Sequence, residues 1–390
     1  MKQFSSFRDP SGAVFAREGV VLRQINECYR PQYEKLMGSG LYERLVKEGL
    51  LVAHEETGEA PEEGAAYKVV RPEQIPFISY PYEWSFGQYK DAALCTLRAH
   101  RAALDFDMIL KDASAYNIQF LRGKPVLIDT LSFDFYHEGD PWVAYGQFCR
   151  HFLAPLFLMA HVDVRLSQLM RVYIDGLPID LAAKLLGRKG GFAARQHIKW
   201  QARSIDKHAE DGKKKEELKR VEIKRFNYVA LIDSLIRTVE ALSLKDIVTE
   251  WGDYYAHTNY SDDAAKAKEQ LVSSFLDEVK PQTAWDLGAN DARYSRLALK
   301  YGGSVVAFDI DPVAVERSYH AASAAGENLL PLLLDLTNPS PAIGFANKER
   351  ESIDQRQRPD CILMLAVIHH LAISNNLPLA KIAQWLSGVT

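Results

Sequence analysis

Four apolar runs mark the C-terminal part of the chain, each closing on polar residues and separated from the next by segments of helical periodicity. The first closes at Trp285 and leads into Asp286-Leu287-Gly288-Ala289-Asn290. Residues 304–308 lead into Asp309, residues 329–334 into Asp335, and residues 361–368 into His369-His370-Leu371. Aliphatic and β-branched runs of this length predict strands, and the amphipathic stretches between them predict helices. Strands alternating with helices specify a parallel sheet in an α/β fold. Such sheets bind ligands outside the carboxyl ends of their strands, where these polar residues fall.

Upstream the pattern changes twice, giving three zones with boundaries at 1–165, 166–245 and 246–390. In the first, short strand-like runs alternate with turn signals such as Asp9-Pro10-Ser11-Gly12, with residues 19–25 as one strand, which predicts an α+β region. Residues 143–164 are the most apolar window, but Arg150, His151, His161 and Asp163 interrupt it, so it predicts a buried helix. The second zone is a helical connector, with a helix at 179–186 and a charged helix at 210–242. There Lys213, Lys214 and Lys215 interleave with Glu210, Asp211, Glu216 and Glu217, which describes a solvated face and gives no clear nucleic-acid signal.

The Asp286-Leu287-Gly288 turn carries the first chemical signal. A small residue there lets the backbone approach a ligand, and the following helix offers free N–H groups. An acid ahead of the glycine suits a ligand with a positively charged end rather than a pyrophosphate, or else Asp286 is a buried strand-end acid that orders the turn. Asp309 follows at the separation of about 20 residues typical of a ribose-binding acid. Asp335 is placed to accept from an exocyclic amine. Asp311-Pro312 reads as a helix cap followed by the first helical residue.

These phrases, with Ala307-Phe308-Asp309-Ile310-Asp311-Pro312 and Ala366-Val367-Ile368-His369-His370-Leu371, resemble class I S-adenosylmethionine-dependent methyltransferases. The stretch from Ile368 to Pro378 is most similar to a subgroup related to nodulation-associated methyltransferases. The resemblance covers residues from about 250 to 390 and implies a Rossmann-like sheet, S-adenosylmethionine as cofactor and an unidentified methyl acceptor. It implies cofactor contacts at Asp286, Gly288, Asn290, Asp309, Ile310, Asp335 and Leu336. Asn290 and Ala292 stand where the family usually has glycines. His369 and His370 are candidate catalytic bases, because an unperturbed imidazole titrates near neutral pH, or else they pack and cap. Asn375 and Asn376 are candidate substrate-orienting groups. Tyr255 and Tyr260 are lid candidates, whose rings would either attract a cation or pack under the first helix of the domain. Residues 376–386 read as the helix after the fourth strand, and the residues after Trp285 are too few for the family's full sheet. The expectation is a C-terminally incomplete sheet whose fourth strand has an unpaired edge, and a non-catalytic cofactor-binding or scaffold protein stays open as an alternative to methyl transfer.

The first zone carries a second pattern. Asp112, Asn117 and, after the apolar run 125–128, Asp129 resemble the catalytic loop and metal-binding strand of the protein-kinase and aminoglycoside-phosphotransferase fold. The resemblance implies a base at Asp112 and metal ligands at Asn117 and Asp129. No His-Arg or His-Gly precedes Asp112, Thr130-Leu131 replace the aromatic-Gly pair, and no Gly-rich phosphate loop precedes the segment. A degenerate kinase-like scaffold, an active phosphotransferase and a plain strand-loop-strand hairpin stay open.

Composition adds bounds. With 390 residues, 47% of them hydrophobic, the chain has material for more than one core. A net charge of −4 gives no general attraction to nucleic acid or anionic membrane. Four cysteines without a CxxC pair offer neither a disulfide framework nor a zinc signature, and no metal site is expected. No apolar stretch reaches the ~18 residues of a membrane span, and the N-terminus lacks a signal core, so the expectation is a cytoplasmic protein. The composition is silent on oligomeric state.

Overall fold

A computed structural model describes residues 8–62, 64, 66–199, 201, 222–244, 249 and 262–390. The chain divides into two compact units. The first draws on residues 1–74, 89–119 and 125–243, and the second on 75–88, 120–124 and 244–390.

The first unit opens with an antiparallel hairpin of β1 (Gly12–Arg17) and β2 (Val20–Asn26). Glu18 and Gly19, both at positive φ (51° and 82°), form its two-residue turn, the twist that hairpins of this length require. β3 (His54–Thr57) and β4 (Ala66–Pro72) complete a four-stranded sheet in the order β1-β2-β4-β3. Alternation along β2 buries Leu22, and Ile25 joins Tyr29, Tyr33, Val70 and Leu131 in one core cluster. Then come β5 (Met108–Leu110), β6 (Ile118–Leu121), β7 (Lys124–Leu127) and β8 (Phe133–Phe135), with β5 paired to β8 and β6 to β7.

The apolar window at 143–164 is a buried helical segment, Tyr145–Phe148 running through a wide turn at Cys149–Leu153 into Ala154–His161. The wide turn ends two residues before Pro155, which has no N–H to give the preceding turn. Ile179–Leu186 is helical as its spacing predicts. The described part of the charged helix is Arg225–Glu240, seated by Tyr228, Ile232, Leu235 and Val239 on one stripe. The basic and acidic residues at 210–217 lie outside the described residues.

In the second unit the four predicted runs form one parallel sheet: β9 (Thr283–Leu287), β10 (Ser304–Asp309), β11 (Leu329–Leu333) and β12 (Cys361–Leu363), in the order β11-β10-β9-β12. The connection direction reverses between β9 and β12, the point at which open α/β sheets form a crevice. Pro331 is accommodated because β11 lies at the sheet edge. β12 pairs only with β9, and among the described residues no strand covers its other side.

Two boundaries differ from the sequence pattern. The fourth strand stops at Leu363 instead of running through Ile368, because Ala366 takes φ +58° and the chain turns into a short helical stretch at His370–Ser374. His369 and His370 therefore sit in a helical turn rather than at a strand tip. The last helix is Leu379–Val389, not 376–386, since Pro378 disfavours helical backbone in the residue before it.

One face of the sheet packs against Val272 and Leu276 of helix Asp262–Val279, with Tyr294, Ala298 and Ala322. On the other face Phe77 meets Trp285 and Phe308 edge-on, with ring centroids 5.9 and 6.0 Å apart. Each such pair adds about 0.5–1.5 kcal/mol beyond area burial. Sequence patterning does not foresee that residues 75–88 belong with this sheet.

A buried ion pair fastens that segment. Arg356 donates from Nη1 to Glu83 Oε2 (2.8 Å) and from Nη2 to Oε1 (2.5 Å), with both side chains 1% exposed. Ser340 Oγ and the Tyr80 backbone N–H also donate to Glu83, and the guanidinium lies on the Phe77 and Tyr80 rings. No helix among the described residues is long and apolar enough to cross a membrane.

Candidate functional site

A cleft of about 650 Å³ opens at the carboxyl ends of the parallel strands. Ten of the sequence candidates line it: Asp286, Gly288, Asn290, Asp309, Ile310, Asp335, Leu336, His369, His370 and Asn375. Asn376 is not among the lining residues. Tyr255 and Tyr260 lie outside the described residues.

The floor is the turn after β9. Gly288 has φ +78°, and a Cβ there would lie 2.1 Å from Val367 Cγ2, so any larger residue forces Val367 away. The Gly288 and Ala289 N–H groups both donate to the Phe308 carbonyl, locking the turn to β10. Asn290 and Ala292, the residues at the usual glycine positions, adopt φ +50° and +60°. The backbone thus keeps the left-handed form that glycine would take without strain. Asn tolerates this region well, whereas an alanine there costs about 1–2 kcal/mol.

The acids differ in environment. Asp286 is buried and accepts from Ser295 Oγ at 2.7 Å. Burial pushes its carboxyl up to about 7; Asp309 adds to the rise, while the Ser295 hydrogen bond and the Lys268 charge oppose it. Asp309 accepts the Asn290 N–H at one oxygen (2.7 Å) and the Asp311 N–H at the other (2.8 Å). A carboxylate has about four acceptor positions, so both oxygens retain capacity for hydroxyl donors. Burial raises its pKa against the pull of those two N–H groups. Asp311 caps helix Pro312–Ala325 by accepting from Val313 and Ala314 N–H, as its Asp-Pro pattern predicts. Asp335 Oδ1 accepts from the Thr337 N–H and hydroxyl at 2.8 and 2.7 Å, a local turn that fixes its carboxyl at the cleft edge.

On the opposite branch of the crevice, the His369 and His370 rings lie 4.0 Å apart. Asn375 donates its amide to the His370 carbonyl at 2.9 Å, so it holds the end of that helical turn as well as lining the cleft. Ile310, 60% exposed, and Leu336 offer apolar surface beside Asp309 and Asp335.

The sequence reading missed Lys268, Arg293 and Tyr294 in the lining. The usable signal was Lys268 among small residues (Ala264, Ala265, Ala267), which leaves room for a cleft above that face of the helix.

In the first unit Asp112, Asn117 and Asp129 do come together, but their groups are engaged internally. Asp112 Oδ1 accepts from Gln147 Nε2 (2.7 Å) and the Ser114 N–H (3.0 Å), and Asn117 Nδ2 donates to Ser132 Oγ. Asp129 pairs with the Arg23 guanidinium and accepts from Ser132 Oγ (2.5 Å) and the Leu131 N–H. Burial, then the Asp129 charge, raises the Asp112 carboxyl. Among the described residues no group of three or more His, Cys, Asp or Glu has the arrangement of a metal site.

The parallel sheet, with an acid-lined cleft at its strand ends, defines an α/β protein of the open-sheet kind. No protein-family model matches the chain. It is similar to the nodulation protein NoeA of Rhizobium meliloti (strain 1021), at 33% identity over 395 residues, covering 98% of this chain and 82% of NoeA. The chain belongs to the NoeA family.

Proposed function

We propose that this protein is an S-adenosylmethionine-dependent methyltransferase of Rossmann-like class I type, acting on a still unidentified acceptor. Its kinship with a nodulation protein extends the proposal to a part in nodulation. What supports the function most is the convergence of Asp286, Asp309 and Asp335 on one cleft at the switch point of a parallel sheet. The cleft volume falls within the range of about 300–1,000 Å³ of small-molecule sites.

The residues fit the cofactor. Gly288 lines the cleft at φ +78°, where a side chain would strike Val367, and Asp286 is an acid whose ionisation in a buried place calls for a cation. Bound S-adenosylmethionine would supply an electrophilic methyl group on a sulfonium. Asp286 would hold the ammonium, Asp309 the ribose hydroxyls and Asp335 the adenine amine, with Ile310 and Leu336 excluding water from the base. His369 or His370 would accept a proton at a ring nitrogen from an acceptor hydroxyl or amine approaching that wall. An acceptor that is already nucleophilic needs only orientation, which the His369–Asn375 turn would provide.

Calorimetry with S-adenosylmethionine and with Mg-ATP, on the wild type and Asp309→Ala, tests this. Binding of the first ligand alone, weakened about tenfold or more in the variant, is expected for loss of a charge-assisted contact. Unchanged affinity in Asp309→Ala removes the ribose assignment. Binding of Mg-ATP alone moves the activity to Asp112, Asn117 and Asp129, and binding of neither leaves a scaffold.

A further inference from the structure

Asp286 belongs to β9, is 2% exposed and lines the cleft. Its Oδ2 accepts from Ser295 Oγ at 2.7 Å, and among the described residues no other group donates a hydrogen bond to this carboxyl. Ser295 opens the short helix Ser295–Ala298, is fully buried and is not among the lining residues. The left-handed backbone at Ala292, between the two, helps the chain fold back so that Ser295 meets an acid nine positions earlier. Other groups act on Asp286 through charge and without such a bond. Asp309 at the end of β10 and Asp291 of the turn disfavour its ionisation, and Lys268 of helix Asp262–Val279 favours it. On β12 the Cys361 thiol feels the Asp286 charge in turn.

We infer that Ser295, a buried residue outside the cleft lining, positions the Asp286 carboxylate for the ammonium of the bound ligand and stabilises its charged form. This role rests on the proposed S-adenosylmethionine function and adds to it a residue that governs how strongly the acid holds a cation. A hydrogen bond donated to a carboxylate fixes one oxygen in direction and favours the ionised form over the neutral one. Burial pushes the Asp286 carboxyl up to about 7 with the Ser295 bond already opposing the rise. Without that donor the acid stays protonated to higher pH, and a neutral carboxyl does not attract an ammonium. A serine that only satisfied its own buried hydroxyl would leave this protonation unchanged.

Calorimetry on the full chain near pH 7, in buffers of different ionisation enthalpy, reads both affinity and the protons released on binding. The probes are S-adenosylmethionine, which carries the ammonium, and 5′-methylthioadenosine, which lacks it. Losing a hydrogen bond to a charged group should displace the Asp286 titration upward by about one pH unit or more. Ser295→Ala is therefore expected to bind S-adenosylmethionine about fivefold or more weakly and to release roughly 0.4 more proton than the wild type. Taking the difference between the two proteins removes any contribution from the ligand's own amine. Binding of 5′-methylthioadenosine should stay within about twofold. Ser295→Cys keeps a weak donor at the same position and should fall between the two, and it carries the test alone if the alanine variant does not fold. Unchanged proton release, or equal weakening of both probes, overturns the serine assignment and leaves the cofactor proposal standing. Failure of the wild type to bind either probe overturns both.

Discussion

Asp286→Asn separates the ligand-binding value of a buried acid from its cost. The folded protein raises this carboxyl from 3.8 to about 7, chiefly by burial. Between those pH values the folded state holds a proton that the unfolded state has released. Stability of the wild type therefore falls as pH rises through that window, by about 1.4 kcal/mol per unit, and levels off above it. The whole passage amounts to a penalty on the order of 4 kcal/mol. Asparagine keeps an oxygen to accept from Ser295 Oγ and does not titrate. Urea denaturation of both proteins near pH 5 and near pH 8 gives the difference between them at each pH. That difference should shift by about 2–3 kcal/mol in favour of the variant from pH 5 to pH 8. An equal difference at both pH values would refute the burial argument. Because a bound cation offsets the penalty, the more stable variant should also be the one that loses S-adenosylmethionine binding.

Other perturbations test the parts of the second unit. Glu83→Ala leaves Arg356 buried without its carboxylate and should cost about 3–5 kcal/mol in chemical denaturation, whereas replacing both residues with apolar ones should cost far less. Gly288→Ala drives a methyl into Val367 at a positive-φ position; a loss of about 2 kcal/mol or more, with weakened ligand binding in calorimetry, is expected. Ala366 is exposed at φ +58°, so Ala366→Gly should raise stability by about 0.5–1 kcal/mol in the same denaturation assay.

Much of the second unit was legible because its signals are local. Strand-length apolar runs ending in Asp286, Asp309 and Asp335 set both the parallel sheet and the floor of the cleft, and Asp311-Pro312 fixed a helix start. Two kinds of feature were not legible. Backbone turns that depend on packing, such as the left-handed Ala366 that ends β12 early, leave no trace in hydrophobic periodicity. Long-range partners are equally silent: nothing near Glu83 announces Arg356, and nothing near Phe77 announces Trp285 and Phe308. The first unit shows a related limit. Asp112, Asn117 and Asp129 could be singled out by spacing, but only the fold reveals that Gln147, Ser132 and Arg23 occupy them.

Photo-crosslinking of wild-type protein with methyl-labelled S-adenosylmethionine, followed by peptide mapping, tests the central claim most directly. Label is expected in peptides that carry Gly288–Asn290, Ile310 or Ala366–Asn375, with incorporation suppressed by excess unlabelled ligand. Label that is absent, unsuppressed, or confined to peptides containing Asp112 and Asp129 would contradict a methyl-donor site in the parallel-sheet cleft.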